Sequence, residues 1–287
     1  MQTTIANKTI TVVADEKGGE LMSIKAGGIE YLWQGDPAVW PRRSPVLFPV
    51  IGNCPDGAFR YRGESYAIPN HGFARDMMFK RTANTDESVT FTLVSDASTK
   101  KQYPFDFSFG VTYRLDAFSV ITDYTVTNTG RDIMYFSVGG HAGFNTPLVA
   151  GETKEDFDIL FEKEETASRR YLCKANTAEN NDEAFTGALI RITKDTFAKG
   201  ALAFANLMSR RISLVSRKSN HGITLVFDEF PFFGIWSPSA EASFICLEPW
   251  HGIMQRTDAS PDITVKEGIR MLEPGKTFTT SYRIIVF

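Results

Sequence analysis

Glu248 sits in Phe244-Ile245-Cys246-Leu247-Glu248-Pro249-Trp250, an apolar run whose one carboxylate stands directly before a proline and a tryptophan. Taking an ionised group out of water costs several kcal/mol unless it is hydrogen-bonded or neutralised, so a carboxylate at such an address is solvated, paired or working. Two of the four histidines have comparable settings. His71 lies in Pro69-Asn70-His71-Gly72-Phe73-Ala74-Arg75, where a glycine beside the imidazole permits close backbone approach. His141 follows Gly139-Gly140 at the end of the apolar run 133–138. Imidazole titrates nearest neutrality, so His71, His141 and Glu248 together suffice for proton exchange. Each also has an ordinary reading: a lone histidine is more often a surface or structural residue, and a strand-end carboxylate is usually paired. His251, after Trp250, is a weaker candidate, and His221 reads as a turn residue between Asn220 and Gly222. Two histidines and a carboxylate also make a ligand set for zinc or iron, which residue type alone leaves open.

These side chains have to be delivered by β structure. Period-2 alternation with β-branched or aromatic content predicts strands over 9–14, 58–68, 88–94, 107–115, 119–127, 212–215, 223–227 and 281–287. Turns such as Asn128-Thr129-Gly130 and Glu273-Pro274-Gly275-Lys276 separate them. No long helical periodicity occurs; 182–189 and 260–263 read as single helical turns. The expectation is all-β, with 1–287 as a single domain, because no repeat, low-complexity block or linker divides the chain. So many antiparallel strands bury their apolar faces best as a sandwich or barrel, which leaves a concave sheet face for a cleft.

Composition narrows the function classes. The chain is 287 residues long, 43% hydrophobic and 13% aromatic, with 23 phenylalanines, as expected of a deep aromatic interior or cleft. Net charge is −3 with no basic stripe, so neither nucleic acid nor an anionic membrane is an expected partner. Cys54, Cys173 and Cys246 are widely spaced and form no C-x-x-C pair, which argues for reduced thiols in the cytoplasm over disulfides or structural zinc. The N-terminus lacks the plan of a signal peptide, and no apolar run approaches a membrane span. The strings H-E-x-x-H, G-x-S-x-G, the P-loop and G-x-G-x-x-G are all missing.

Three ordered segments resemble the aldose 1-epimerase (mutarotase) family, in its bacterial galactose mutarotase-related branch. The first is Arg42-Arg43-Ser44-Pro45-Val46-Leu47-Phe48-Pro49-Val50-Ile51-Gly52, then Tyr61-x-Gly63-x-x-Tyr66 and His71-Gly72-Phe73-Ala74-Arg75. The second is Val126-x-Asn128-x-Gly130 and Phe136-Ser137-Val138-Gly139-Gly140-His141-x-x-Phe144-Asn145. The third is Phe232-Phe233-Gly234-Ile235-Trp236, Cys246-Leu247-Glu248-Pro249-Trp250-x-Gly252 and Lys266-x-Gly268-Ile269-x-x-Leu272-x-Pro274-Gly275. The resemblance implies a β-supersandwich with a sugar cleft and a cofactor-free, metal-free exchange of α and β anomers of an aldose. It implies that His141 is the general acid at the ring oxygen, that Glu248 is the general base at the anomeric hydroxyl, and that His71 is the second cleft histidine. It also implies a substrate arginine at Arg42 or Arg43 and a hydroxyl-binding aspartate at Asp228, with Glu229 competing.

Phe144, Trp236 and Trp250 suit the apolar faces of a pyranose, and Arg43 or Arg75 its hydroxyls. Glu248 ionised and His141 protonated is the expected starting state, each favouring the other's charge. The chain departs from the family pattern at two places: Ala142-Gly143 replaces a proline after His141, which loosens the loop there, and Asn53 stands where relatives often carry arginine. Competing readings are a hexose-6-phosphate 1-epimerase using Arg42, Arg43 or Arg75, a non-catalytic carbohydrate-binding or sensor protein, and a metal-dependent enzyme. Monomer and homodimer are both open.

Overall fold

The computed structural model describes residues 1–171 and 182–287, and Cys173 lies outside the described residues. The described chain is nearly all antiparallel β. Its largest sheet runs, in spatial order, through Val46–Leu47, Val138–Gly140, Phe244–His251, Phe232–Trp236, Leu202–Ala205, Phe157–Tyr171, Arg211–Ser216, Gly222–Val226, Thr277–Val286, Ser119–Asn128, Phe107–Asp116, Ser88–Val94 and Lys80–Asn84. Ala142–Asn145 adds to Phe244–His251, and Glu183–Arg191 to Phe157–Tyr171. A separate four-stranded sheet is built from Gln2–Ala6, Ile10–Asp15, Leu21–Ala26 and Ile29–Glu30.

Alternation explains the outer strands. In Phe107–Asp116 the side chains of Phe107, Phe109, Val111, Tyr113 and Leu115 are buried while their neighbours are not, the pattern of a sheet with one wet face. One hydrophobic cluster extends from Ile5 to Val286 and includes Phe48, Phe107, Phe109 and Phe136. Phe244–His251 differs, because all eight of its residues are buried. It is covered on both faces and flanked on both edges, so it reads as a continuous apolar run and its one carboxylate stands out. Among the described residues no helix is long and apolar enough to cross a membrane.

Several local expectations are corrected. The 182–189 stretch is no helical turn; Glu183–Arg191 is a strand paired with Phe157–Tyr171. The turn expected at 260–263 falls at Ile263–Val265, where Asp262 caps it by accepting from the Thr264 N–H. The 58–68 strand is a hairpin, Ala58–Tyr61 with Glu64–Ala67, reversed by Arg62 and Gly63 at φ 51° and 86°. Positive φ at both turn residues matches the right-handed twist of the flanking strands. Cys54 and Cys246 are buried free thiols.

Candidate active site

Strand register places the central groups. Phe244–His251 pairs on one edge with Phe232–Trp236, setting Trp236 beside Cys246, Gly234 beside Glu248 and Phe232 beside Trp250. On its other edge Gly139 pairs with Trp250, Ala142 with Leu247 and Gly143 with Cys246. That register carries His141 opposite Glu248. Side chains two apart share a face, so Cys246, Glu248 and Trp250 point the same way, toward the concave side. His141 Nε2 stands 3.2 Å from Glu248 Oε2. The Ala142–Asn145 strand holds His141 by its ladder, so the position after the histidine is not the loose loop expected from Ala142-Gly143.

His71 arrives from a different part of the chain. Its φ is 62° and that of Gly72 is 74°, and a Cβ on Gly72 would meet Phe48 O at 2.2 Å, so only glycine fits there. A non-glycine residue in the left-handed region is held there by its surroundings at a cost of order 1 kcal/mol or more. Here Gly52 holds it: the His71 N–H donates to Gly52 O at 3.0 Å, and the Gly52 N–H donates to His71 Nδ1 at 3.2 Å. An Nδ1 that accepts leaves the proton of the neutral ring on Nε2. The His71 and His141 rings meet edge to face with centroids 5.5 Å apart.

A cavity of about 120 Å³ opens over these groups, lined by Trp40, Asn70, His71, Arg75, His141, Ala201, Trp236, Glu248 and Trp250. Trp40 stacks on His141 at 5.2 Å and Trp236 meets it edge-on at 5.6 Å. Trp40 is held through its backbone, whose carbonyl accepts from Trp33 Nε1 at 2.8 Å. Gly143 leaves room for that ring, since a Cβ there would lie 3.2 Å from Trp40 Cζ3. Five atoms of the lining residues are buried without a protein hydrogen-bond partner: Asn70 Oδ1, Arg75 Nε, His141 Nδ1, Glu248 Oε2 and Trp250 Nε1. Each such group costs about 1–3 kcal/mol unless something completes it, so their convergence on one cavity marks a site for a polar, hydrogen-bonding occupant.

Electrostatics correct one expectation. Burial pushes the Glu248 carboxyl well above the usual carboxylate range, and the nearby Trp250 N–H opposes the shift without closing a hydrogen bond. Burial, then Arg75, pulls His141 down to about 3, while its own backbone carbonyl pulls the other way. Desolvation outweighs mutual attraction, so the pair is favoured uncharged rather than as carboxylate and imidazolium. His71 is pushed well below neutrality by burial first and then by His141. Arg75 is lowered to about 10 by burial and by Arg42.

The structure brings His71, His141, Glu248, Arg75, Trp236 and Trp250 to one cavity. Arg42 and Arg43 line the adjoining hollow with Asp15, Glu20 and Asp76, and Arg75 borders both. Arg42 is paired with Asp76 at 2.9 Å. Phe144 is a correction: strand alternation turns it to the other face, into the main core, with no exposure. Asp228 is another. Phe227 and Phe230 are buried, so the Asp228-Glu229 turn between them is driven outward, and both acids are exposed and away from the cavity. Sequence reasoning missed Trp40, Asn70 and Ala201; the Trp40-Pro41-Arg42-Arg43 string and the neighbour of His71 were the available signals.

The aldose 1-epimerase family model matches residues 1–271. The chain is 32% identical over 294 residues to the chromosomal LacX protein of Lactococcus lactis subsp. lactis, covering 98% of each. It is similar in structure to a galactose mutarotase related enzyme from Lactobacillus acidophilus, with TM-score 0.96, 35% identity and coverage of 100% of this chain and 97% of that one. A galactose mutarotase-like protein from Lactobacillus casei matches with TM-score 0.93 and 31% identity over 100% of both chains. The β-supersandwich expected from the motifs is thus the fold these relatives share. With the match running from the first strand past the Glu248 strand, this chain belongs to the aldose 1-epimerase family.

Proposed function

We propose that this protein interconverts the α and β anomers of an aldose by proton exchange between the sugar and the Glu248–His141 pair. The observation that carries the reading is that pair, 3.2 Å apart at the floor of a cavity rimmed by unpartnered polar atoms and tryptophan faces. Hydroxyls supply both donors and acceptors to complete Asn70 Oδ1, Arg75 Nε and Trp250 Nε1, while the Trp40, Trp236 and Trp250 rings suit the apolar faces of a pyranose.

In the proposed cycle the Glu248 proton first passes to His141 Nε2, 3.2 Å away; the Glu248 carboxylate then takes the proton of the anomeric hydroxyl, the C1–O5 bond breaks as the C1 carbonyl forms, and the His141 imidazolium delivers its proton to O5. Rotation about C1–C2 and reclosure with the roles reversed gives the other anomer and returns both protons. A sugar hydroxyl donating to Glu248 Oε2 favours the ionised carboxylate and offsets the desolvation that otherwise keeps the pair neutral. His71, neutral with its proton on Nε2, donates a hydrogen bond near the ring oxygen without titrating. Positioned acids and bases each contribute about 10² to 10⁴ in rate. Glu248→Gln is therefore expected to slow polarimetric mutarotation of galactose or glucose by about 10² to 10⁴ while sugar binding persists; wild-type turnover in that variant would sink the mechanism.

A second reading, in which the substrate carries a 6-phosphate, is favoured by Arg42, Arg43 and Arg75 around the adjoining hollow of about 320 Å³. Comparing free hexoses with their 6-phosphates in the same assay separates the two. The cytoplasm is the proposed compartment, on the strength of the dispersed, unpaired cysteine pattern.

A further inference from the structure

Cys246 is a strongly chemical side chain that lies against the Glu248–His141 pair, outside the cavity lining, and proton exchange has no use for it. It lies two residues before Glu248 on the same strand and hence on the same face, and cross-strand pairing sets it beside Gly143 and Trp236. It is completely buried, and Glu248 and His141 are nearly so. Among the described residues His141, Cys246 and Glu248 form a candidate ligand set, with one ligand atom from each lying within 4.8 Å of the other two.

We propose that His141, Cys246 and Glu248 form a binding site for a borderline-soft divalent cation of the zinc class, whose occupancy takes the proton-exchanging pair out of use. Tetrahedral zinc bonds of about 2.0–2.3 Å to nitrogen, oxygen and sulfur separate neighbouring ligand atoms by roughly 3.3–3.8 Å. The His141–Glu248 separation of 3.2 Å is already close to this, and drawing in the thiol asks for movements of about an ångström. Glu248 Oε2 has no protein hydrogen-bond partner, so a cation displaces none there. The imidazole, thiolate and carboxylate mixture selects zinc or cobalt over magnesium or calcium, which demand all-oxygen shells. Three protein ligands leave the fourth position facing the cavity, which Glu248 and His141 line. Binding is balanced by proton release: the Cys246 S–H bond breaks, the metal–sulfur bond forms, and one proton leaves to solvent, with a second if Glu248 was protonated.

The site is tested on the full chain with cobalt(II) alone, so the readout does not depend on turnover. Saturable one-to-one binding is expected, with the visible bands of a tetrahedral ion and a near-ultraviolet thiolate-to-cobalt charge-transfer band. In folded Cys246→Ser the charge-transfer band should vanish and affinity fall at least tenfold. A band that persists in Cys246→Ser, arising from Cys54 or Cys173, overturns the assignment, as does an absence of saturable binding. Should Cys246→Ser fail to fold, His141→Asn decides the matter: it keeps the thiol, must still weaken cobalt at least tenfold, and unchanged affinity refutes the site. Because the proposed epimerase reaction needs no cation, each reading can fail without the other.

Discussion

Replacing Gly234 with alanine tests whether the position of the Trp250 ring, rather than its strand alone, shapes the floor of the cavity. A Cβ on Gly234 would stand 2.4 Å from both Cη2 and Cζ2 of Trp250, where non-bonded carbons rest at about 3.5–4.0 Å. The ring must therefore move by about an ångström. It has little room, since a Cβ on Gly139 of the opposite strand would lie 2.7 Å from Trp250 Cδ1, so the indole spans both neighbours. Leu47, Ile51, Ala203, Ile253 and Met254 pack around it. Overpacking of this kind costs about 1–3 kcal/mol, and a shift of about 1 Å beside the reacting groups costs on the order of 10² in rate. Urea unfolding and polarimetry measure the two effects on one sample. Trp250→Phe removes the far atoms of the indole, so in that background Gly234→Ala should regain about 1 kcal/mol or more, a coupling read from the double-mutant cycle. Gly139→Ala also meets Pro249 O at 2.8 Å, a backbone atom, so Trp250→Phe should not rescue it. Unchanged stability and turnover in Gly234→Ala, or a cost undiminished in the Trp250→Phe background, would refute this role for the Trp250 ring.

Acid should weaken the fold through histidines buried neutral. His251 Nε2 lies 3.0 Å from Thr280 Oγ1, and burial, then Arg270, depresses its pKa to about 3. The unfolded chain protonates this group below about pH 6.5 and the native chain only near 3, so its contribution is complete above 6.5 and is lost as pH falls toward 3. Wild type should lose about 1 kcal/mol from this residue between pH 8 and 5.5, and His251→Gln should flatten the stability curve by that amount; parallel curves would count against it. Asp228→Asn is expected to change stability by less than about 0.5 kcal/mol and to leave turnover alone, whereas a tenfold loss would return that aspartate to the site.

The elements that became legible early are those whose pattern follows from one physical rule. Phe107–Asp116 and Ser119–Asn128 alternate because one face packs on the aromatic core, and Glu248 stands out because its strand is buried on both faces. Glu183–Arg191 was hidden because its burial does not alternate cleanly, with Phe185 its only buried residue, so the strand is defined by its partner and not by a period of its own. Phe144 and Asp228 show a different limit. Motif order brings a residue near a site, but strand parity turns Phe144 to the core, and the anchors Phe227 and Phe230 push Asp228 outward. Trp40 escaped because nothing local distinguishes a tryptophan in a turn from one stacked on a histidine far along the chain, as this one is.

The Glu248–His141 pair shows why proximity alone misjudges charge. Read from residue types, an acid and a base across a cleft stabilise each other's ions; in place, both are buried, His141 against Trp40 and Trp236, and burial drives the carboxyl up and the imidazole down. Attraction between two charges grows as the surroundings dry, but the cost of drying them grows faster unless further hydrogen bonds compensate. Few such bonds come from the protein, because Glu248 Oε2, His141 Nδ1 and Trp250 Nε1 all lack partners. In the proposed cycle they come from the sugar, so the occupant that reacts is also the one that makes ionisation possible. An empty site kept neutral and a filled one able to pass protons both follow from the same burial.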